Sequence, residues 1–339
     1  MKVTVFGSGA WGTAIALLLY ENGYDVTIWA KFPREAKILD LNRENPLLEG
    51  VKIYKSIRIT TEINKAAKNA QVAIIAVPSF AVRETVEALR GRLSADCLII
   101  CMSKGIEKDT SMLFTEIIRT SLGNNAKIAC VSGPTHAEEV ARKIPSGCVV
   151  ASEDIKIAEY VQDILFCEYL RVYSSTDVVG VELGAALKNV IALAAGICNG
   201  LGYGDNTLAM LMTRGLSEMA RLCVAMGGKK ETLAGLAGLG DLIVTCVSQH
   251  SRNRRAGVLI GQGKPTARAM REVGAVVEGY YAAMAAYKLS EKLGVDMPIC
   301  AETYKVVYEN KDPNVAMREL MAREKKSETG TGEERWVTN

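Results

Sequence analysis

A chain of 339 residues is long enough for two domains, since single cores rarely grow past about 250–300 residues. Its 49% hydrophobic and 23% charged residues are the profile of an ordinary soluble globular protein. With 41 Lys and Arg against 38 Asp and Glu, the net charge of +3 is too small for a dedicated nucleic-acid binder, but it leaves room for a local cationic cluster that takes a small anion.

The first expected strand, Val3-Thr4-Val5-Phe6, runs directly into Gly7-Ser8-Gly9-Ala10-Trp11-Gly12, and a helix through Leu17-Leu18-Leu19 follows. In that strand–turn–helix setting each glycine has a physical reason. Gly7 allows the tight turn, Gly9 lets a pyrophosphate approach the backbone, and Gly12 permits close helix packing, with free N–H donors at the helix start. The competing reading is a glycine turn without a ligand. A second strand, Val26-Thr27-Ile28-Trp29, ends in Ala30-Lys31-Phe32-Pro33-Arg34. It lacks the acid that NAD enzymes usually place there for the ribose 2′-hydroxyl. Lys31 and Arg34 either neutralise a 2′-phosphate or are solvated surface cations, and the expectation leans to NADP(H) over NAD(H).

Further strands are expected at 72–77, 98–101, 128–131 and 148–151, several apolar throughout, as in a parallel sheet covered on both faces. The expected fold is therefore α/β: an N-terminal Rossmann-type, mostly parallel sheet over residues 1–178, binding a dinucleotide. Gly7, Pro78, Gly105 and Gly133 follow strands and put loops at the carboxyl edge, where ligands bind in such sheets. Lys104 sits on one of these loops, and Ser132-Gly133-Pro134-Thr135 forms another, suited to an oxyanion.

From residue 179 the apolar pattern becomes helical, recurring over 180–196, 216–226, 278–293, 302–308 and 315–322. An all-helical substrate and catalytic domain is expected over 179–323, and a flexible tail over 324–339. Lys188 is the one cation in the small and apolar run Leu183 to Ala195. Two readings stand. A desolvated lysine has its pKa pushed down and serves as a general base near neutral pH, or it snorkels to the surface. Asn189 beside it is placed to hydrogen-bond a substrate oxygen. Asp241 lies in the glycine-rich turn Gly238-Leu239-Gly240-Asp241-Leu242. Ser251-Arg252-Asn253-Arg254-Arg255 is either a phosphate site, for which arginine forks are well shaped, or a solvated basic face. The two histidines, His136 and His250, lie beside candidate loops; each is either a base or a hydrogen-bonded loop residue.

Nine cysteines, an odd number without a CxxC pair and mostly inside apolar runs, read as reduced thiols and not as a disulfide frame or metal site. No signal-peptide pattern opens the chain, and no run approaches about 18 uninterrupted apolar residues. A cytoplasmic protein without a membrane span is expected.

These blocks, in this order, resemble bacterial NAD(P)-dependent glycerol-3-phosphate dehydrogenases over essentially the whole chain apart from the tail. The resemblance is carried by residues 7–14, Ser103 to Glu107, Ser132 to Glu139, Gly184 to Val190, Thr213 to Met219, Ala237 to Leu242, Ser251 to Arg255 and Val276 to Gly279. It implies interconversion of dihydroxyacetone phosphate and sn-glycerol 3-phosphate, a phosphorylated small-molecule substrate, a role in phospholipid synthesis and a homodimer. It implies that Lys188 is the proton acceptor and that Lys104 touches both cofactor and substrate. Gly133, Thr135, Asp241, Ser251, Arg252 and Asn253 match substrate positions. Trp11, Lys31, Ala137, Arg252, Val276 and Glu278 match cofactor positions. Ala10 departs from the family's frequent serine, which removes one hydroxyl contact and leaves the backbone cradle intact. Lys31 stands where relatives often carry another basic or polar residue, which implies dual NAD and NADP use. Two rival readings remain on the residues alone: a hydroxyacid dehydrogenase of similar architecture, and a non-catalytic NAD(P)-sensing protein.

Overall fold

The computed structural model describes residues 1–325, 327 and 328, so most of the expected tail at 324–339 lies outside the described residues. The chain divides into two compact units. One comprises Met1–Lys104 with Met112–Glu182; the other comprises Gly105–Ser111 and the chain from Leu183 onward.

The first unit is built on one eight-stranded sheet. Its strands are β1 (Lys2–Phe6), β2 (Asp25–Trp29), β3 (Arg58–Thr60), β4 (Val72–Ile75), β5 (Leu98–Cys101), β6 (Lys127–Ser132), β7 (Ser146–Ala151) and β8 (Leu170–Ser175). They lie in the order β3-β2-β1-β4-β5-β6-β7-β8. Every pairing is parallel except β6 with β7. The central strands β4 and β5 are buried throughout because they carry apolar side chains towards both faces, and Val5 of β1, flanked in register by Ile28 and Ile74, is wholly inaccessible. Thr4 is a buried polar residue of β1, and its hydroxyl donates to the Ala66 carbonyl at 2.8 Å. β1 neighbours both β2 and β4, so the strand order reverses there, which places the ligand crevice of such a sheet at the carboxyl ends of β1 and β4.

β3 and β8, absent from the expected strands, are the two edges. β3 is only three residues long, and β8 alternates buried and exposed side chains without an apolar run. The strand expected at 72–77 stops at Ile75.

The second unit is helical, with no strand among its described residues. Its longest element is the Val178–Gly200 helix, which begins in the first unit. By length and composition alone that helix is long and apolar enough to cross a membrane. Glu182, Lys188 and Asn189 interrupt its apolar run, and 89% of its most apolar stretch is buried within the protein, as in a core helix.

Helix Arg252–Gly261 packs on it through glycines. A Cβ on Gly257 would sit 2.2 Å from the Leu193 carbonyl oxygen, and one on Gly196 2.2 Å from that of Arg254. Real Cβ atoms cannot approach so closely, so the two backbones touch only because these positions lack side chains.

Candidate active site

In the first unit the glycine turn is a cradle shaped by missing side chains. Gly7 has φ +130°, and a Cβ there would lie 2.4 Å from the Ala76 carbonyl oxygen at the end of β4. A Cβ on Gly12 would lie 2.2 Å from the Gly7 carbonyl oxygen. Gly9 alone has nothing within 4 Å. Helix Ala10–Glu21 starts at Gly9 with no side-chain cap, leaving its first N–H groups to face that open space.

Asn45, which carries no motif that would single it out, braces the turn. Its buried amide donates to the Ser8 carbonyl at 3.0 Å and to the Thr13 hydroxyl at 2.7 Å. Trp11 packs beside Ala137 in a small apolar cluster with Ala14 and Leu48, so two expected cofactor residues meet. The Trp11 indole Nε1 is buried without a hydrogen-bond partner among the described residues. A cradle open only at its middle glycine, uncapped helical N–H donors and an orphaned indole donor together fit a dinucleotide.

The expected 2′-phosphate cations fare differently. Lys31 Nζ lies 2.5 Å from Glu84, an ion pair whose partners are 42% and 67% exposed. Arg34 is exposed. A few residues beyond the end of β2, Glu35 Oε2 accepts a hydrogen bond from Ser8 Oγ at 2.9 Å.

The loops after β5 and β6 also meet. Lys104 Nζ donates to the Gly133 carbonyl at 3.0 Å, and Thr135 Oγ1 donates to the same oxygen at 3.1 Å. Gly133 has φ +153°, and a Cβ there would stand 2.7 Å from Cys148 Cα and from the Gly147 carbonyl oxygen, so only glycine lets the loop lie against β7. His136 begins the short Ala137–Val140 helix, its carbonyl accepting from Val140 N at 3.0 Å. The Cys148 thiol, buried beside this loop, is pushed up to about 12 by burial and stays neutral.

In the second unit Lys188 is buried, 6% exposed, yet not alone. Its Nζ donates to Asp241 Oδ1 at 2.5 Å and to Thr245 Oγ1 at 2.9 Å. Thr245 donates in turn to the Asp241 carbonyl at 2.6 Å, one helical turn back. Lys188 therefore does not snorkel to the surface, and its buried ammonium has a buried counter-charge in Asp241. Backbone approach explains the meeting: a Cβ on Gly184 would lie 2.5 Å from the Ala237 carbonyl oxygen, in the π-helical turn Leu236–Gly240 that leads into Asp241. Cys246, in the same helix as Asp241, is pushed up to about 12 by burial and is no nucleophile.

Asn189 and Asn253 are engaged with each other. Asn253 Nδ2 donates to Asn189 Oδ1 at 2.8 Å, and Gly279 N donates to Asn253 Oδ1 at 2.8 Å. Gly279 is close enough for this because its missing Cβ would sit 2.5 Å from the Asn189 carbonyl oxygen. Val276 and Glu278 flank the start of the Glu278–Leu293 helix at this junction, both half-buried. Ser251 is the N-cap of helix Arg252–Gly261, its Oγ accepting from Arg254 N at 3.2 Å, and Arg252 is exposed in the first turn. His250 is exposed in the preceding turn. Among the described residues no group of three His, Cys, Asp or Glu side chains is placed to hold a metal ion.

Residues 2–158 match the family described as NAD-dependent glycerol-3-phosphate dehydrogenase N-terminus, and residues 177–318 match its C-terminus. The chain is 47% identical over 330 residues to glycerol-3-phosphate dehydrogenase [NAD(P)+] of Fusobacterium nucleatum, covering 97% of this chain and 98% of that one. It is 48% identical over 328 residues to the enzyme of the same description from a Thermoanaerobacter species, covering 97% and 99%. The crystal structure of glycerol-3-phosphate dehydrogenase from Coxiella burnetii is similar with a TM-score of 0.92 at 34% identity, covering 95% of this chain and 99% of that chain.

Proposed function

The chain belongs to the NAD-dependent glycerol-3-phosphate dehydrogenase family, and from that premise we propose how its two units divide the reaction. It is an oxidoreductase that uses NAD(P) and has glycerol-3-phosphate dehydrogenase activity. When bound, the nicotinamide supplies the hydride for reduction of dihydroxyacetone phosphate at C2, and takes it back in the reverse direction. The first unit holds the cofactor: the Gly7–Gly12 turn takes the pyrophosphate on backbone N–H groups, with Trp11 and Ala137 beside it.

Lys188 handles the proton. In reduction its ammonium gives a proton to the C2 oxygen, and in oxidation its amine takes the proton of the C2 hydroxyl. The observation that carries this reading is the buried Lys188–Asp241–Thr245 set, because a charge so enclosed persists only when something holds it in place. Asp241 is the counter-charge and fixes the direction of the Nζ group, with Thr245 as the second acceptor. Arg252 and the N-terminus of its helix bind the substrate phosphate, which positions the reacting carbon. Asn253, expected to bind that phosphate itself, has both ends of its amide engaged, which favours bracing of the helix start that presents Arg252. Lys104 and Thr135, which both donate to the Gly133 carbonyl, are further substrate contacts in this reading.

The product supplies glycerol 3-phosphate for phospholipid synthesis in the cytoplasm. Nine free thiols, eight of them buried, favour a reducing compartment. A homodimer is the assembly that the resemblance implies. One steady-state assay tests the reading. Dihydroxyacetone phosphate is reduced with NADH or NADPH, and 2-oxo acids are not. Turnover of 2-oxo acids without turnover of the phosphate would favour the hydroxyacid reading, and cofactor binding with no turnover of either would favour a sensor.

A further inference from the structure

We propose that Glu35 sets the choice between the two nicotinamide cofactors: its carboxylate takes the adenosine ribose 2′-hydroxyl and repels a 2′-phosphate, so that NADH is used in preference to NADPH. The proposal rests on the reading of the glycine turn as the cofactor cradle.

The end of β2 lies directly against that turn, with Gly7 N donating to the Trp29 carbonyl at 3.0 Å. In dinucleotide-binding folds the residue that meets the ribose comes from this strand end, and an acid there accepts from the 2′-hydroxyl. The strand end itself offers no acid. Pro33, however, starts a helix, Pro33–Asn42, and its first turn carries Glu35. The helical path brings Glu35 back to the turn, where its Oε2 takes the Ser8 hydroxyl at 2.9 Å. Glu35 lies 23 residues after Gly12, close to the spacing of about 20 at which the ribose acid stands in such folds.

The cations that argued for a 2′-phosphate are weaker candidates than their positions in sequence imply. Lys31 Nζ is drawn to Glu84, on the Val82–Leu89 helix that follows β4. Arg34 precedes Glu35 by one residue, so any 2′-phosphate it drew in would meet the neighbouring carboxylate as well. Ser8, half-buried in the turn, holds the Glu35 side chain in one direction by their hydrogen bond, and a ribose hydroxyl can replace that donor without leaving the carboxylate unsatisfied. A phosphate has no hydrogen to give in its doubly ionised form and adds like charge instead.

The test is direct titration of NADH and of NADPH, without substrate, into the unaltered protein and the Glu35→Gln and Arg34→Ala variants. Glu35 and Arg34 are both exposed, so the variants keep the fold. The unaltered protein is expected to bind NADH the more tightly. Glu35→Gln is expected to move the ratio of the two Kd values towards NADPH by about fivefold to tenfold, the order of effect of a unit charge a few ångströms away in water. The shift should shrink in 0.5 M salt, because exposed charges are screened. A ratio unchanged by Glu35→Gln, or NADPH preference in the unaltered protein that Arg34→Ala abolishes, overturns the proposal. The expected shift in a protein that fails to turn over dihydroxyacetone phosphate would keep this proposal and remove the dehydrogenase reading. Normal turnover with an unshifted ratio would do the reverse.

Discussion

In the sheet unit the proposed cofactor site is backbone: Gly7, Gly9 and Gly12 leave room by what they lack, and Asn45 braces the turn through the Ser8 carbonyl. In the helical unit the chemistry is proposed to fall to buried side chains that meet from distant stretches of chain, Lys188 with Asp241 and Thr245, and Asn189 with Asn253. The contrast follows from what each half must hold. A pyrophosphate is a large, fixed anion that a row of N–H groups satisfies, so side chains there would only obstruct. A proton in transit needs one group of defined charge, and burying that charge requires a partner.

The sharpest way to break this contrast is to remove the partner. Asp241→Leu leaves the Lys188 ammonium buried and uncompensated, and a loss of about 3–5 kcal/mol in unfolding free energy is expected. Adding Lys188→Met to it should restore most of the stability, because a buried pair replaced whole by apolar groups is often neutral, while leaving the enzyme inactive. Denaturant melts of the two variants decide. If the single variant is as stable as the unaltered protein, the pair is not the enclosed charge described here.

A smaller effect is expected on the other side of the comparison. Asn45→Ala leaves the buried Thr13 hydroxyl without the amide that donates to it and the Ser8 carbonyl without its brace, a cost of about 1–3 kcal/mol. Its functional signature should be a raised Kd for the dinucleotide with an unchanged KM for dihydroxyacetone phosphate. A change in the substrate KM alone would show that the turn is not what Asn45 holds.

The smallest effect is a slope in stability with pH. Glu218 is buried and accepts from Ile299 N and Cys300 N at the start of the Pro298–Tyr308 helix; burial pushes its pKa up to about 7. Burial does the same to Glu182, held by Thr115 N at 3.1 Å. A carboxyl that binds its proton more tightly folded than unfolded makes stability fall as pH rises between its unfolded value of 4.5 and about 7, and the loss persists above. Tm measured across that window should decline, and Glu218→Gln should flatten the decline. A Tm that rises through the window in both proteins would contradict the assignment.

How far the sequence alone reached follows the same division. β1, β2 and β4 to β7 were legible because buried strands are runs of Val and Ile; β3 and β8 were not, because short or alternating edge strands have no such run. The glycine turn was legible because its requirements are local. Lys188 could be seen as a cation in an apolar helix, but its state could not, since the counter-charge comes 53 residues later by way of a glycine contact with a π-helical turn. Thr245 carried a readable sign, one helical turn after Asp241. Glu35 did not stand out because it lies beyond the strand end, and only the helix that Pro33 begins turns it back to Ser8.

The central claim is that Lys188 moves the proton and the sheet unit holds the cofactor without it. Turnover of dihydroxyacetone phosphate by Lys188→Ala, measured well below its Tm and alongside the Kd for NADH, tests it most directly. The expected result is turnover reduced by at least about a hundredfold with dinucleotide binding unchanged, the scale of a lost positioned acid–base group. Near-normal turnover with unchanged binding would contradict it.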